Sequence, residues 1–177
     1  DESTVPPGEE PIHWRLMTTH PIQTDEQAMQ IIRWYEKRWM IEQLFRLVKR
    51  KGFQIESCEL RYLEAILKMT VIVVQAAFTV LRLVLARDKP HSQPIDQVFS
   101  PSQQRCLALL NEKYQGSTTK QQNLHPPNQL SWAAWIIARM GGWKGLTSQG
   151  LPGPITMKKG LDLFHTYYDA WNLFADA

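Results

Sequence analysis

Four polar residues share one face of a predicted helix. They are Tyr35, Arg38, Glu42 and Lys49, separated by three, four and seven positions. At about 100° per residue they fall within an arc of roughly 60°, and the first and last stand about 21 Å apart along the axis. A carboxylate among such groups suits a divalent metal acting on a phosphodiester, because the metal neutralises the carboxylate and the cations neutralise the phosphate backbone. From spacing alone, the alternative is an ordinary solvated helix face.

The positive charge of the chain is concentrated around this face. The net charge is only +3, but seven basic residues lie between positions 33 and 51, against two acidic residues. The basic residues are Arg33, Lys37, Arg38, Arg46, Lys49, Arg50 and Lys51. Such a surface suits a polyanion, whereas the alternative is a helix whose arginines lie along apolar surface with their charged ends in water.

Other kinds of site have little support in the sequence. Cys58 and Cys106 are 48 positions apart and lack the spacing of a metal motif, so we expect reduced intracellular thiols. The five histidines are scattered without a pair at i and i+4, which disfavours a histidine-built metal site.

The chain also lacks the pattern of a membrane protein. Its longest uncharged apolar stretch, Met69 to Leu81, has 13 residues and contains Gln75. That length favours a buried core helix over a membrane span. No signal peptide is recognisable at the start. We therefore expect no membrane partner and a cytoplasmic location.

The elements that would position the polar face are mainly helices. Thr24 caps the first predicted helix, about 25–51, and Gly52 follows its basic end. Its apolar residues, centred about 120° from the polar face, should pack inward: Trp34, Met40, Ile41, Leu44, Phe45, Leu47 and Val48. Four more helices are predicted: one beginning between Ser57 and Arg61 and ending near Arg87, then Pro101–Tyr114, Leu130–Met140 and about Ile155–Phe174.

One short strand is predicted ahead of these helices. Apolar and polar residues alternate from Ile12 to Met17, after an acidic, proline-containing segment over residues 1–11. A lone strand is not stable by itself, so we expect its partners to lie upstream of this sequence.

The spacing Tyr-x2-Arg-x3-Glu-x6-Lys resembles the signature of bacterial cut-and-paste transposases of the insertion-sequence IS-four family, which includes the Tn-five transposase. Two further blocks agree with it in order. PPGEEPIHWRLMTT, ending at Thr19, resembles the segment that precedes this helix in the family. LSWAAWIIARMGGW, from Leu130 to Trp143, and the later LPGP resemble its C-terminal helical region.

The resemblance implies a retroviral-integrase-like catalytic core of ribonuclease-H type. In that core two aspartates on strands and one glutamate on a helix, the DDE motif, bind two divalent ions, Mg²⁺ or Mn²⁺. Glu42 matches the glutamate, and Tyr35, Arg38 and Lys49 match positions that contact phosphates near the cleavage site. Trp14 matches the aromatic residue on which a flipped base stacks. A core tryptophan on the inner face of the strand is the alternative reading of Trp14.

This chain departs from the family pattern because it lacks both catalytic aspartates and the N-terminal DNA-binding region. Asp25, at the start of the first helix, suits the helix dipole better than a metal. We therefore expect a C-terminal fragment, inactive by itself, with three parts. Residues 1–88 would be the C-terminal part of the catalytic core, with one or two short strands and two long helices; 89–100 a linker; and 101–177 a small helical dimerisation domain.

Three functions follow from these patterns. The first is a fragment of a transposase that cleaves and joins DNA at transposon ends and pairs as a homodimer in a synaptic complex. The second is a non-catalytic helical self-association module. The third is a freestanding nucleic-acid-binding domain that uses the basic surface between residues 33 and 51.

Overall fold

The computed structural model describes residues 15–49, 52–89 and 91–175. Within those ranges the protein is mainly α-helical, as the sequence predicts. Six α-helices follow one another: α1 (Asp25–Glu36), α2 (Arg38–Val48), α3 (Leu63–Ala86), α4 (Pro101–Tyr114), α5 (Leu130–Met140) and α6 (Pro154–Ala175). The chain divides into two compact units, one ending at Trp39 and the other beginning at Met40.

The first unit contains α1, which begins as the sequence predicts. The Thr24 hydroxyl oxygen accepts a hydrogen bond from the Gln27 backbone N–H, and the Gln27 side-chain oxygen accepts one from the Thr24 backbone N–H, forming a capping box. The His20 and Trp34 rings meet edge to face, with centroids 5.2 Å apart. No residue of α1 is buried.

The predicted single helix over 25–51 is wrong in one respect, because it is divided at Lys37. The Lys37 backbone N–H bonds to the carbonyl of Trp34, three residues back, which interrupts the i to i−4 ladder. Lys37 keeps a right-handed helical conformation. Because the side-chain periodicity continues across such a turn, the sequence pattern could not reveal it.

The predicted strand over Ile12–Met17 falls partly outside the described residues, which begin at Arg15. Arg15, Leu16 and Met17 are irregular, so the strand prediction is wrong for them. A strand needs a neighbour for its backbone hydrogen bonds. The described ranges contain no strand to pair with it, and their β-type pairing is an isolated bridge between Pro94 and Gln129.

The core of the second unit surrounds α5. Ten of its eleven residues are buried, all except Arg139, and α3, α4 and α6 pack around it. Phe99 and Phe164 are both buried and meet at a right angle, with ring centroids 5.6 Å apart. The boundaries of α4 and α5 match the sequence prediction, and α4 carries the expected Ser100 cap with Pro101 in its first turn.

Helices α5 and α6 approach closely through two glycines. A Cβ atom on Gly160 would overlap the Ile137 carbonyl oxygen, and one on Gly141 would overlap the Thr156 carbonyl oxygen. Gly142 follows with a φ of +95°, which favours glycine and helps end α5. These glycines therefore allow the helices to meet backbone to backbone.

Helix α3 is buried only in its C-terminal half. The sequence predicts an interior position for the whole helix, but the described chain packs α5 and α6 against the later part, where Ala77, Val80 and Leu83 are buried. Val71 and Ile72, nearer its start, are both 66% exposed. The interior prediction is therefore wrong for the first half.

Within the described ranges, α3 is also the one helix long and apolar enough to cross a membrane, with 33% of the qualifying window buried. The core helix of a water-soluble protein can meet the same criterion, so length and composition do not decide between the two. The absence of a membrane partner stays a prediction.

The described part of the segment over 89–100 is packed within the second unit. Ile95 is buried, its backbone N–H bonds to the Asn128 carbonyl, and the Leu130 N–H bonds to the Gln93 carbonyl. These contacts attach the segment to the start of α5. The predicted three-part functional division of the chain stays a prediction.

Candidate nucleic-acid interface

Tyr35 and Arg38 lie together in the first unit, on either side of the turn at Lys37. Both are exposed, and the Arg38 guanidinium carbon is 6.0 Å from the centroid of the Tyr35 ring. This distance is at the outer limit of a cation–π contact. The guanidinium and the phenol ring are therefore neighbours on an exposed part of the first unit.

Glu42 lies in the second unit, on α2. Its side chain is exposed, whereas Leu47 and Val48, near the end of the same helix, are buried. These two residues hold the helix against the core. The sequence predicts a broader packing face, but Ile41 and Phe45 are more than half exposed. Burial therefore begins only in the last turns of α2.

Lys49, just past α2, is held by two partners. Its Nζ atom is 3.3 Å from the Glu56 Oε1 atom and 5.8 Å from the centroid of the Phe45 ring. The Lys49 and Glu56 side chains are about half exposed, at 52% and 49%. The ammonium group is therefore paired with a carboxylate while still accessible to solvent.

The turn that carries Glu56 is well ordered by its own contacts. The Phe53 N–H bonds to the Leu47 carbonyl at 2.6 Å, and the Ser57 N–H and hydroxyl both donate to the Gln54 carbonyl. Gln54 has a φ of 52°, in the left-handed region. The Phe53 ring lies 4.9 Å from the Lys158 Nζ atom of α6. The turn is thus fixed at both ends and places Glu56 beside Lys49.

The basic surface predicted between residues 33 and 51 is exposed wherever the structure describes it. Arg33, Lys37, Arg38, Arg46 and Lys49 all have exposed side chains. Arg50 and Lys51 lie outside the described residues, as does Trp14. Cations that are accessible in this way can bind the phosphates of a polyanion without first being uncovered.

The residues present fit a metal site only in part. Glu42 offers one carboxylate, whereas Mg²⁺ prefers six oxygen ligands in octahedral geometry. The described residues contain no group of three or more histidine, cysteine, aspartate or glutamate side chains that could hold a metal. Cys58 and Cys106 are free, and burial raises the pKa of the Cys106 thiol, which favours its protonated form.

Sequence reasoning missed the Lys49 partner Glu56. The two residues are seven positions apart, but a helix end and a turn separate them, so no helical or strand period connects them. Gly52 indicates in the sequence that the helix ends there, but it does not indicate which residue the following turn brings next to Lys49. The direction in which the chain returns after Gly52 depends on tertiary contacts such as Phe53 with Lys158.

A comparison with known protein families bears on these residues. The part of the chain from residue 8 to residue 79 matches a family model, and this part contains Trp14, Tyr35, Arg38, Glu42 and Lys49. The matched part is 72 of the 177 residues, counting from 8 to 79 inclusive. The model is described as Transposase DDE domain, so over this region the chain is similar to that domain.

Proposed function

We propose that this chain is part of a cut-and-paste DNA transposase of the insertion-sequence IS-four type and supplies the glutamate of its DDE motif. The observation that carries the proposal is the match to a Transposase DDE domain over 8–79, a region that contains the Tyr35, Arg38, Glu42 and Lys49 spacing. The intact enzyme would cleave and join DNA phosphodiesters at transposon ends.

Glu42 is proposed to be one carboxylate ligand of a divalent metal, Mg²⁺ or Mn²⁺. When bound, such a metal polarises the phosphoryl oxygens and activates the attacking hydroxyl. One carboxylate does not complete the site, so the remaining ligands would come from two aspartates elsewhere in the enzyme. The exposure of Glu42 on α2 supports its role, because the side chain is accessible to a metal and to DNA.

Arg38, Lys49 and Tyr35 are proposed to contact DNA phosphates. Guanidinium and ammonium groups form charge-assisted hydrogen bonds to phosphate oxygens, and a phenol can donate a neutral one. All three side chains are exposed. Trp14 would provide the flat apolar surface on which a flipped base stacks, replacing the stacking lost from the duplex.

The helices of the second unit are proposed to pair two copies of the enzyme at the transposon ends. Leu173 is 77% exposed near the end of α6, and Tyr167 is exposed on the same helix. Apolar groups of this kind suit a self-association surface. A cytoplasmic location at the bacterial nucleoid is part of the same proposal.

The catalytic role is tested in the intact transposase with Glu42→Gln. The amide keeps the size of the side chain but loses the charge that binds a metal, so strand cleavage and joining should both be lost while DNA binding persists. A gel assay that resolves nicked, hairpin and joined products measures each step. Retained cleavage at the wild-type rate would show that Glu42 is not a ligand of the metal.

The phosphate contacts are tested with Arg38→Gln and Lys49→Gln in duplex-binding assays at several salt concentrations. Each loss of one phosphate contact should flatten the slope of log affinity against log salt by roughly 0.9. Arg105→Gln and Lys159→Gln are matched controls, because both residues are exposed on other helices of the described chain. Slopes equal to those of the controls would refute the phosphate role.

The nucleic-acid-binding alternative shares these cations but assigns no chemistry to Glu42. Exposure of the basic residues over 33–49 is the observation that favours it. It predicts that Glu42→Gln strengthens DNA binding slightly, by removing a negative charge, and that cleavage by the intact protein does not depend on Glu42. The two functions are therefore separated by the same variant.

A further inference from the structure

A second cationic site lies at the end of α3, within the second unit. It is a pocket of about 180 Å³, and its polar lining comes from Arg82, Lys89, His91, Ser92 and Gln93. The described residues that line it include no aspartate or glutamate. None of the residues that line it is Tyr35, Arg38, Glu42 or Lys49.

Arg82 is fixed in the pocket by neutral acceptors. Its Nε and Nη2 atoms donate to the Gln93 Oε1 atom at 3.3 and 3.1 Å, and Nη2 also donates to the Gln97 Oε1 atom at 2.9 Å. Its Nη1 atom donates to the Gln97 carbonyl at 3.1 Å. Amide oxygens orient a guanidinium without neutralising its charge, and one Nη1–H has no acceptor among the described residues and can bind a ligand.

The wall of the pocket is held against the start of α5. The Ser92 N–H donates to the Gln129 Oε1 atom at 3.1 Å, and the Ser131 N–H donates to the Ser92 hydroxyl oxygen at 2.8 Å. The Leu130 N–H bonds to the Gln93 carbonyl at 2.8 Å. Because these bonds are already made, a ligand would bind to Arg82 and its neighbours with little rearrangement.

We propose that this pocket binds a phosphate group of a nucleic acid backbone. The ligand groups are the remaining Arg82 Nη1–H, the Lys89 ammonium and the His91 imidazole, since three donors around a concave site suit a tetrahedral oxyanion. The volume admits one phosphodiester group. The site would add a DNA contact on the second unit, and it rests on the proposed function only in that the chain binds DNA.

A structural role is the competing explanation for the same cations. Arg82 and Lys89 lie near the C-terminal end of α3, where positive charge offsets the helix dipole. In that case their removal should lower thermal stability and leave DNA affinity unchanged. Binding and stability measurements on the same variants therefore distinguish the two roles.

The test compares two double variants of the full chain. Lys89→Gln with His91→Gln removes the exposed ammonium and imidazole groups of the pocket, and Lys159→Gln with His165→Gln removes the same residue types from exposed positions on α6. Binding to a fluorescent 20-base-pair duplex is followed by anisotropy across a salt series. A parallel nuclear magnetic resonance titration with inorganic phosphate follows the backbone amides of Ser92 and Gln93.

The pocket variant should bind the duplex roughly threefold to tenfold more weakly and flatten the salt slope by about 1, while the control variant matches wild type. Inorganic phosphate should shift the Ser92 and Gln93 amides only when Lys89 and His91 are present. An unchanged salt slope would overturn the proposal. Phosphate shifts with unchanged duplex binding would also overturn it, by making the pocket a free-phosphate site.

The test of the pocket can succeed or fail independently of the test of the phosphate contacts proposed for Arg38 and Lys49. If Arg38→Gln and Lys49→Gln match their controls but the pocket variant binds weakly, the phosphate role of Arg38 and Lys49 is refuted and the pocket proposal is supported. If Arg38→Gln and Lys49→Gln weaken binding but the pocket variant does not, only the pocket proposal is refuted. Circular dichroism melting of each variant establishes that the compared proteins are folded.

Discussion

Lys49 combines two contacts that affect an incoming phosphate in opposite ways. The Phe45 ring restricts the ammonium without neutralising it, whereas the Glu56 carboxylate, 3.3 Å away, competes with a phosphate for it. Exposed ion pairs contribute only about 0.2–1 kcal/mol, because water and salt screen them. A phosphate can therefore displace Glu56 at small cost.

Replacing Glu56 should for this reason strengthen DNA binding. Glu56→Gln removes both the competition for Lys49 and the repulsion between the carboxylate and a phosphate, and we expect affinity to rise roughly two- to fivefold at low salt. Anisotropy with a short duplex measures the effect. In a Lys49→Gln background the gain should shrink; a gain of equal size there would mean that Glu56 acts on DNA independently of Lys49.

His125 should make the stability of the chain depend on pH. Burial lowers the pKa of His125 below its usual value of 6.5, and the Asp88 carboxylate opposes this by a smaller amount. The unfolded chain then binds more protons than the folded chain just below pH 6.5, so stability rises with pH in that window. The His125 contribution is fully present above pH 6.5 and is lost as pH falls towards the lowered pKa.

Urea unfolding between pH 5 and pH 7.5 measures this contribution. His125→Gln should reduce the rise in unfolding free energy across the range, because the amide does not titrate. His165→Gln, at an exposed position on α6, is the control and should keep the wild-type profile. A His125→Gln profile that is parallel to wild type would show that this histidine does not contribute.

Among the helices, the sequence predicts best those whose signals are local. Ser100 and Pro101 mark the start of α4, and Gly141 and Gly142 mark the end of α5, and both helices have the predicted boundaries. The division at Lys37 and the exposure of the first half of α3 were not predictable in this way. The first depends on one backbone hydrogen bond, and the second depends on which neighbours reach the helix.

The candidate site shows the same division between local and tertiary information. The spacing of Tyr35, Arg38, Glu42 and Lys49 was visible in the sequence, and all four side chains are exposed. The Glu56 partner of Lys49 was not predicted, because the path of the chain after Gly52 follows no helical or strand period and includes a contact between Phe53 and Lys158 of α6. Residue types and helical periodicity predict which side chains share an exposed helix face. They do not predict which side chains of a following turn, such as Glu56, contact that face.

Two valines on α3 test whether its C-terminal half is buried and its N-terminal half exposed. Val80 is 0% exposed and Val71 is 66% exposed. Val80→Ala should lower the free energy of unfolding by about 2 kcal/mol, through lost burial and the cavity left behind. Val71→Ala should change it by less than about 0.5 kcal/mol.

The two substitutions are matched, because they change helix propensity equally on the same helix. Urea unfolding at low protein concentration measures both. A cost at Val71 as large as that at Val80 would contradict the exposed position of the first half of α3. Repeating the measurement at higher protein concentration would then determine whether self-association buries the first half of α3.

At the scale of the whole molecule, burial differs sharply between the two units. The first unit contains α1, which has no buried residue, whereas α5 in the second unit is buried at ten of eleven positions. Local opening needs less free energy where few apolar contacts are lost. Stability should therefore be distributed unevenly along the chain.

Amide hydrogen exchange should reveal this distribution. We expect the α1 amides to exchange at least about 100-fold faster than those of α5 after correction for sequence, which corresponds to roughly 2.7 kcal/mol in opening free energy. Mass spectrometry of peptic peptides measures both helices in one experiment. Equal protection of α1 and α5 would mean that α1 has partners which the described contacts do not include.

The glycine contacts between α5 and α6 have a consequence for how the second unit can vary. Because the Ile137 and Thr156 carbonyl oxygens lie directly against Gly160 and Gly141, main-chain radii set the separation of the two helices there. Rotamer changes elsewhere along the helices leave this separation untouched. A side chain at either glycine would face a carbonyl that cannot rotate away, so an entire helix would have to move. Substitutions among the apolar side chains around α5 can be accommodated by local repacking, whereas a side chain at either of these two positions cannot.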